Sequence, residues 1–148
     1  MTTADVPAWV FFLPPLWIGG WITASILYRR NHGKPIVPRM PDGALYRERM
    51  ASGANNSHWI GRIGGANRCL IVAVTSRELV ITPYLPFNLM FLPEIYGLEV
   101  RVPLSSIRTV EAQRSFFRDT LIVHFSDGRS FRLFLRDPDA FRQALRHP

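Results

Sequence analysis

The sequence has one cysteine, one lysine and no basic residue before Arg29. A lone Cys69 excludes a disulfide framework and a thiolate metal site, and it suits a reducing compartment. The four histidines, His32, His58, His124 and His147, fall at no metal-ligand spacing. Lys34 is the single lysine among 18 Lys and Arg. An arginine excess serves bidentate anion contacts, and GC-rich coding accounts for it equally. Charge is absent for longest from Val6 to Tyr28, where VPAWVFFLPPLWIGGWITASILY contains no Asp, Glu, Lys or Arg.

That run is about 23 residues long, and roughly 20 suffice to cross a bilayer as a helix. Backbone amides in hydrocarbon must be satisfied internally, so the span is expected to be helical. A cleaved signal peptide needs a positive leader, whereas MTTAD carries only Asp5. Positive charge follows the run instead: Arg29, Arg30 and Lys34 are expected to stay cytoplasmic, at lipid headgroups, with the N-terminus outside. Pro14 and Pro15 predict a kink by crowding the carbonyls of Val10 and Phe11. Trp9 and Tyr28 stand where amphipathic rings favour the interface. Gly20 and Ala24 form a small-xxx-small pair on which helices can approach.

The sequence divides into an anchor over 1–28, a basic juxtamembrane linker over 29–57 and a domain over 58–148. The net charge of +7 comes without a run of five or six basic residues. No DNA- or RNA-binding signature accompanies it, which argues against nucleic acid. RRNHGKPIVPRMPD reads as a semi-extended linker. ALYRERMAS predicts a short helix with Leu45 and Met50 as anchors, and Ser52 to Ser57 a polar loop. Asn55-Asn56-Ser57 matches a glycosylation acceptor in a compartment where the expected topology leaves it unused.

Strands are predicted from about His58: HWIGRI, then the apolar run Cys69–Thr75, Glu78–Thr82 closed by Pro83, Leu98–Val102, Ile107–Gln113, Thr120–Phe125 and Arg129–Leu135. The final pair flanks Ser126-Asp127-Gly128. A two-residue loop there mixes faces. A three-residue loop with Gly128 left-handed pairs Val123 with Phe131 and Leu121 with Leu133, giving one apolar face. Asp137 is a good N-cap and Pro138 suits the first helical position. Phe141, Ala144 and Leu145 then share a face, so a short helix packs on the sheet.

CLIVAVTSRELVITP, VPLSSIRTVE, LIVHFSDGRSFRLFL and DPDAFRQAL together resemble bacterial pleckstrin-homology-like (PH-like) and GRAM-type domains, over about Arg62 to Leu145. The resemblance implies an α+β, mainly β fold. An N-terminal transmembrane helix is thus expected to precede a PH-like antiparallel barrel of about seven strands, capped by a C-terminal helix. It also implies a scaffold or interaction domain beside a membrane, often oligomeric. Phosphoinositide-binding members carry a basic cluster in the first strand–strand loop. Thr75-Ser76-Arg77-Glu78 offers one arginine beside a glutamate, which argues against a specific phosphoinositide cage.

YLPFNLMFLPEIYGLEV, from Tyr84 to Val100, joins two strands yet is apolar, and connecting segments are usually polar. It either folds back to plug the barrel end or exposes a partner-binding patch of Phe87, Leu89, Met90, Phe91, Leu92, Ile95 and Tyr96. No residue set passes a nucleophile–base–orienter test. Cys69 sits in an apolar run, and pairing it with His124 and Asp119 or Asp127 requires neighbouring strands. Gly61-Arg62-Ile63-Gly64-Gly65 lacks the end of a phosphate loop. The expected function is therefore non-catalytic and cofactor-free. It is a single-pass module at the cytoplasmic face of the cell membrane, binding a protein or itself. The alternative is a peripheral sensor of anionic lipid.

Overall fold

The computed structural model describes residues 7–57, 59, 64–90, 92–114 and 119–146. A 3₁₀ turn over Ala8–Phe12 leads into helix α1, Leu13–Asn31. Together they form the one helix among the described residues long and apolar enough to cross a membrane. Pro14 and Pro15 fall in the first turn of α1, where a missing N–H leaves no hydrogen bond broken. They follow directly on the change from 3₁₀ to α. The helix ends in a Schellman arrangement: Lys34 N–H donates to Arg29 O (2.8 Å) and Gly33 N–H to Arg30 O (3.2 Å). Gly33 takes a φ of 64° there, a conformation glycine adopts without penalty.

Seven strands follow: β1 (Tyr46–Asn55), β2 (Ala66–Val74), β3 (Glu78–Pro83), β4 (Val100–Pro103), β5 (Ile107–Gln113), β6 (Thr120–Phe125) and β7 (Ser130–Phe134). Between β3 and β4 lies the short helix α2, Leu92–Tyr96, and the described chain closes with α3, Pro138–Arg146. The strands make one open antiparallel sheet in the order β4-β3-β2-β1-β7-β6-β5, with β4 and β5 as edges rather than a closed barrel. The mainly β class with an apolar helix before it and a helix after it is the one the sequence indicates.

Strand β1 joins the two meanders. Its first part pairs with β2, and Ser52–Asn55 pair with β7. The segment expected to be a short helix and a polar loop is thus the central strand. Its alternation is plain in the structure, with Tyr46 and Glu48 buried and Arg47 and Arg49 exposed. A charged residue at an inward position hid that pattern. Glu48 is held there by the Tyr46 hydroxyl and by Arg136 N–H at 3.1 Å, as a buried carboxyl must be. Burial and the adjacent Glu48 push the Tyr46 phenol far above its ordinary range. The strand expected over HWIGRI lies outside the described residues except for Trp59, which is helical.

The β6–β7 hairpin has the expected register, Leu121 opposite Leu133 and Val123 opposite Phe131. Gly128 has a φ of 84°, and Arg129 caps the turn through Asp127 (Nε to Oδ2, 2.6 Å). Hydrogen bonds from Arg129 hold the Asp127 carboxyl below its ordinary value. Ala140 N–H donates to Asp137 Oδ1 (2.9 Å), the N-cap of α3. Phe141 and Ala144 enter the core, where the Phe141 ring meets Tyr46 edge-on at 5.5 Å. Leu70, Val72, Val74, Leu79 and Ile81 supply one side of that core, and Leu121, Val123, Phe131 and Leu133 the other.

Candidate functional site

The apolar segment between β3 and β4 is a flap. It starts with Tyr84 edge-on to Phe87 (5.4 Å) and a cis Leu85–Pro86 bond. A 3₁₀ turn over Phe87–Leu89 and helix α2 follow, and Gly97 (φ 58°) ends the helix. Its return is fixed by Asn55, whose side-chain amide donates to Gly97 O (3.0 Å) and whose Oδ1 accepts from Ser57 N–H (3.0 Å). That asparagine, the acceptor of the glycosylation match, is buried and committed to structure.

The seven candidate partner-binding residues separate into groups. Phe87 and Tyr96 are half-buried against the core, and Leu89 is half-buried. Met90 and Ile95 each remain 43% exposed. Leu92 opens α2, and Phe91 lies outside the described residues. The flap folds back as a short helix and leaves Met90 and Ile95 exposed.

Its other side receives the end of α1. Ser25 and Arg29 are buried, and Ile22 and Ile26 are half-buried. Positions 22, 25, 26 and 29 follow helical spacing, so they form one face. Arg29 is 1% exposed. Its Nη1 donates to Asn88 O (3.1 Å) and Glu94 Oε1 (3.2 Å), Nη2 to Glu99 Oε2 (3.3 Å) and Nε to Pro35 O (3.1 Å). Arg29 was expected at lipid headgroups, but its guanidinium is spent inside the protein. Glu94, largely buried, and Glu99, at the rim, offer it two charge-assisted contacts that an exposed position lacks. Arg30 stays exposed, and Lys34 reaches Glu94 at 3.8 Å while remaining 40% exposed.

The segment after α1 is a strap rather than a free linker. Asn88 Nδ2 donates to Ile36 O (2.7 Å), Arg101 Nη2 to Arg39 O (3.2 Å), and Leu45 N–H to Val74 O (2.7 Å). On the outer face of the sheet Ile71, Ala73, Val80 and Thr82 are buried although they point away from the core. Pro35, Pro38 and Arg39 share a groove with Val80 and Thr82, so the strap crosses that face.

The thiol and imidazole considered for catalysis do not meet. Cys69 lies in β2 and His124 in β6, with β1 and β7 between them. Cys69 is buried, and burial pushes its thiol up. His124 Nε2 faces Glu111 Oε1 at 3.6 Å across the β5–β6 pair. Among the described residues no cluster of His, Cys, Asp and Glu has the arrangement of a metal site.

Fold and site together define a mainly β domain joined, through a buried ion-pair cluster, to a helix of membrane-spanning length and composition. Compared with known proteins, the chain matches no protein-family model and no curated protein.

Proposed function

We propose that this protein is a non-catalytic PH-like module mounted on the cytoplasmic face of the cell membrane by α1, its N-terminus outside, where it binds a protein partner or a second copy of itself. The observation that carries the reading is the burial of Arg29 between Glu94 and Glu99. A mere tether needs no such fixture, whereas a domain that presents a surface at a set height and orientation does. Two meanders sharing β1, followed by a helix packed over the core, support the PH-like comparison at the level of strand order. Exposed Arg30 fits the positive-inside bias. The surface assigned to the partner is the exposed part of the flap, which includes Met90 and Ile95.

Photo-crosslinking from position 95 in the intact membrane-bound protein tests this. A discrete protein adduct, foreign or self, is expected. Adducts to lipid alone would overturn the partner assignment and favour the lipid-sensing alternative.

A further inference from the structure

A groove of about 570 Å³ separates the strap from the outer face of β1 and β2. Its floor and walls include Val37, Met50, Ile71 and Leu85, and Arg47 and Arg49 stand among them. The two arginines are two residues apart on β1 and therefore share a face. Both are exposed, and neither has a carboxylate partner among the described residues. Val37, Met50 and Leu85 are also exposed, although contiguous apolar surface is normally covered in a soluble setting.

Met50 reaches the groove by an unusual route. It is the extra residue of a β-bulge between Arg49 and Ala51, and its φ is 62°. A left-handed non-glycine residue is strained, and such strain persists where the surrounding structure enforces it. Strict alternation would turn position 50 toward the core. The bulge sets it beside Arg49 on the groove instead.

The groove is linked to the end of α1 through the flap and the strap. Leu85 belongs to the flap, and Val37 follows Ile36, whose carbonyl is held by Asn88 next to Arg29. Apolar walls beside two guanidiniums without a carboxylate partner fit an anionic amphiphile, which on the membrane-mounted reading comes from the leaflet. We infer that the groove binds one anionic phospholipid, its phosphate on Arg47 and Arg49 and an acyl segment along Val37, Met50 and Leu85. Guanidinium groups pair with phosphate oxygens through directed, charge-assisted hydrogen bonds. The source of the lipid rests on the membrane-mounted reading; the groove chemistry does not.

The test is native mass spectrometry of the full chain released from detergent after incubation with equal amounts of phosphatidylglycerol and phosphatidylcholine. One retained phosphatidylglycerol per chain is expected. In the Arg47→Gln/Arg49→Gln variant its occupancy falls about tenfold, as loss of charge-assisted contacts implies. Equal retention of the two lipids, or an unchanged double variant, would overturn the inference. So would displacement by the deacylated headgroup at equal concentration, which would leave the apolar walls without a role. Alkaline carbonate extraction of the same protein from membranes reads the anchor separately. A chain that is extracted yet retains phosphatidylglycerol fails only the mounting. One that stays embedded and retains none fails only the groove.

Discussion

Arg29 donates from its three side-chain nitrogens to four acceptors at once, Glu94, Glu99 and the carbonyls of Asn88 and Pro35. A lysine has one nitrogen and no planar fork, so it is a poor substitute. Removing the buried guanidinium leaves Glu94 only the longer contact to half-exposed Lys34 and strips the carbonyls of Asn88 and Pro35 of their donor, and breaking charge-assisted hydrogen bonds of this kind costs about 1–3 kcal/mol. Arg29→Ala is therefore expected to lower the denaturation midpoint in detergent sharply, while Arg30→Ala leaves it nearly unchanged. Equal midpoints for the two variants would remove Arg29 from the account. The sequence carried a signal for this pair that charge bias obscured: the flap's only acidic residues are Glu94 and Glu99, and they answer the first arginine after the apolar run. Reading that arginine through the membrane alone hid its partner in the fold.

Two other residues set a pH dependence. The ordinary values are 9.0 for the Cys69 thiol and 10.0 for the Tyr46 phenol, and burial is the largest cause pushing both up in the folded protein. The unfolded chain thus releases these protons first as pH rises. Their contribution to stability is whole below the unfolded values and is lost at higher pH. The urea midpoint is expected to hold from roughly pH 7 to 8 and to fall above about pH 9, with Tyr46 phenolate absorbance appearing only on unfolding. Phenolate formation ahead of unfolding would contradict the burial of Tyr46.

At the scale of elements, β1 explains both what was legible and what was not. The β6–β7 register, the edges of β5 and β6 and the N-cap of α3 rest on local rules: face consistency, turn chemistry and capping. Those rules work from neighbouring residues, and they held. Strand β1 instead depends on partners far along the chain. Glu48 is tolerated inside because Arg136 N–H, distant in sequence, meets it. Tertiary context of this kind overrides a helical reading of ALYRERM. Gly53 marks where β1 passes from β2 to β7. A Cβ there would lie 2.7 Å from Arg132 O and 2.9 Å from the Phe131 ring. Gly53→Ala is expected to cost about 1–3 kcal/mol by overpacking, read as a lower thermal midpoint. Gly128→Ala meets no neighbour and strains only its own turn, so the two separate crowding from backbone conformation.

Over the whole molecule, the anchor, strap and sheet form one connected body. α1 lays one face on the flap, the strap crosses the outer sheet, and the flap returns to β1 through Asn55. The sequence alone describes an anchor, a linker and a domain in series, because proline and glycine in a polar stretch signal flexibility. The carbonyls of that stretch are nonetheless taken by Arg29, Asn88 and Arg101. A series of loosely joined parts and a single mounted body differ in one observable, the spread of distances between helix and sheet.

Double electron–electron resonance measures that spread directly, with spin labels at Leu27 and Arg108, both exposed, in a Cys69→Ala background reconstituted into lipid. A narrow distance distribution is expected, broadening when Arg29→Ala is added. A distribution already broad with Arg29 in place would contradict the mounted domain.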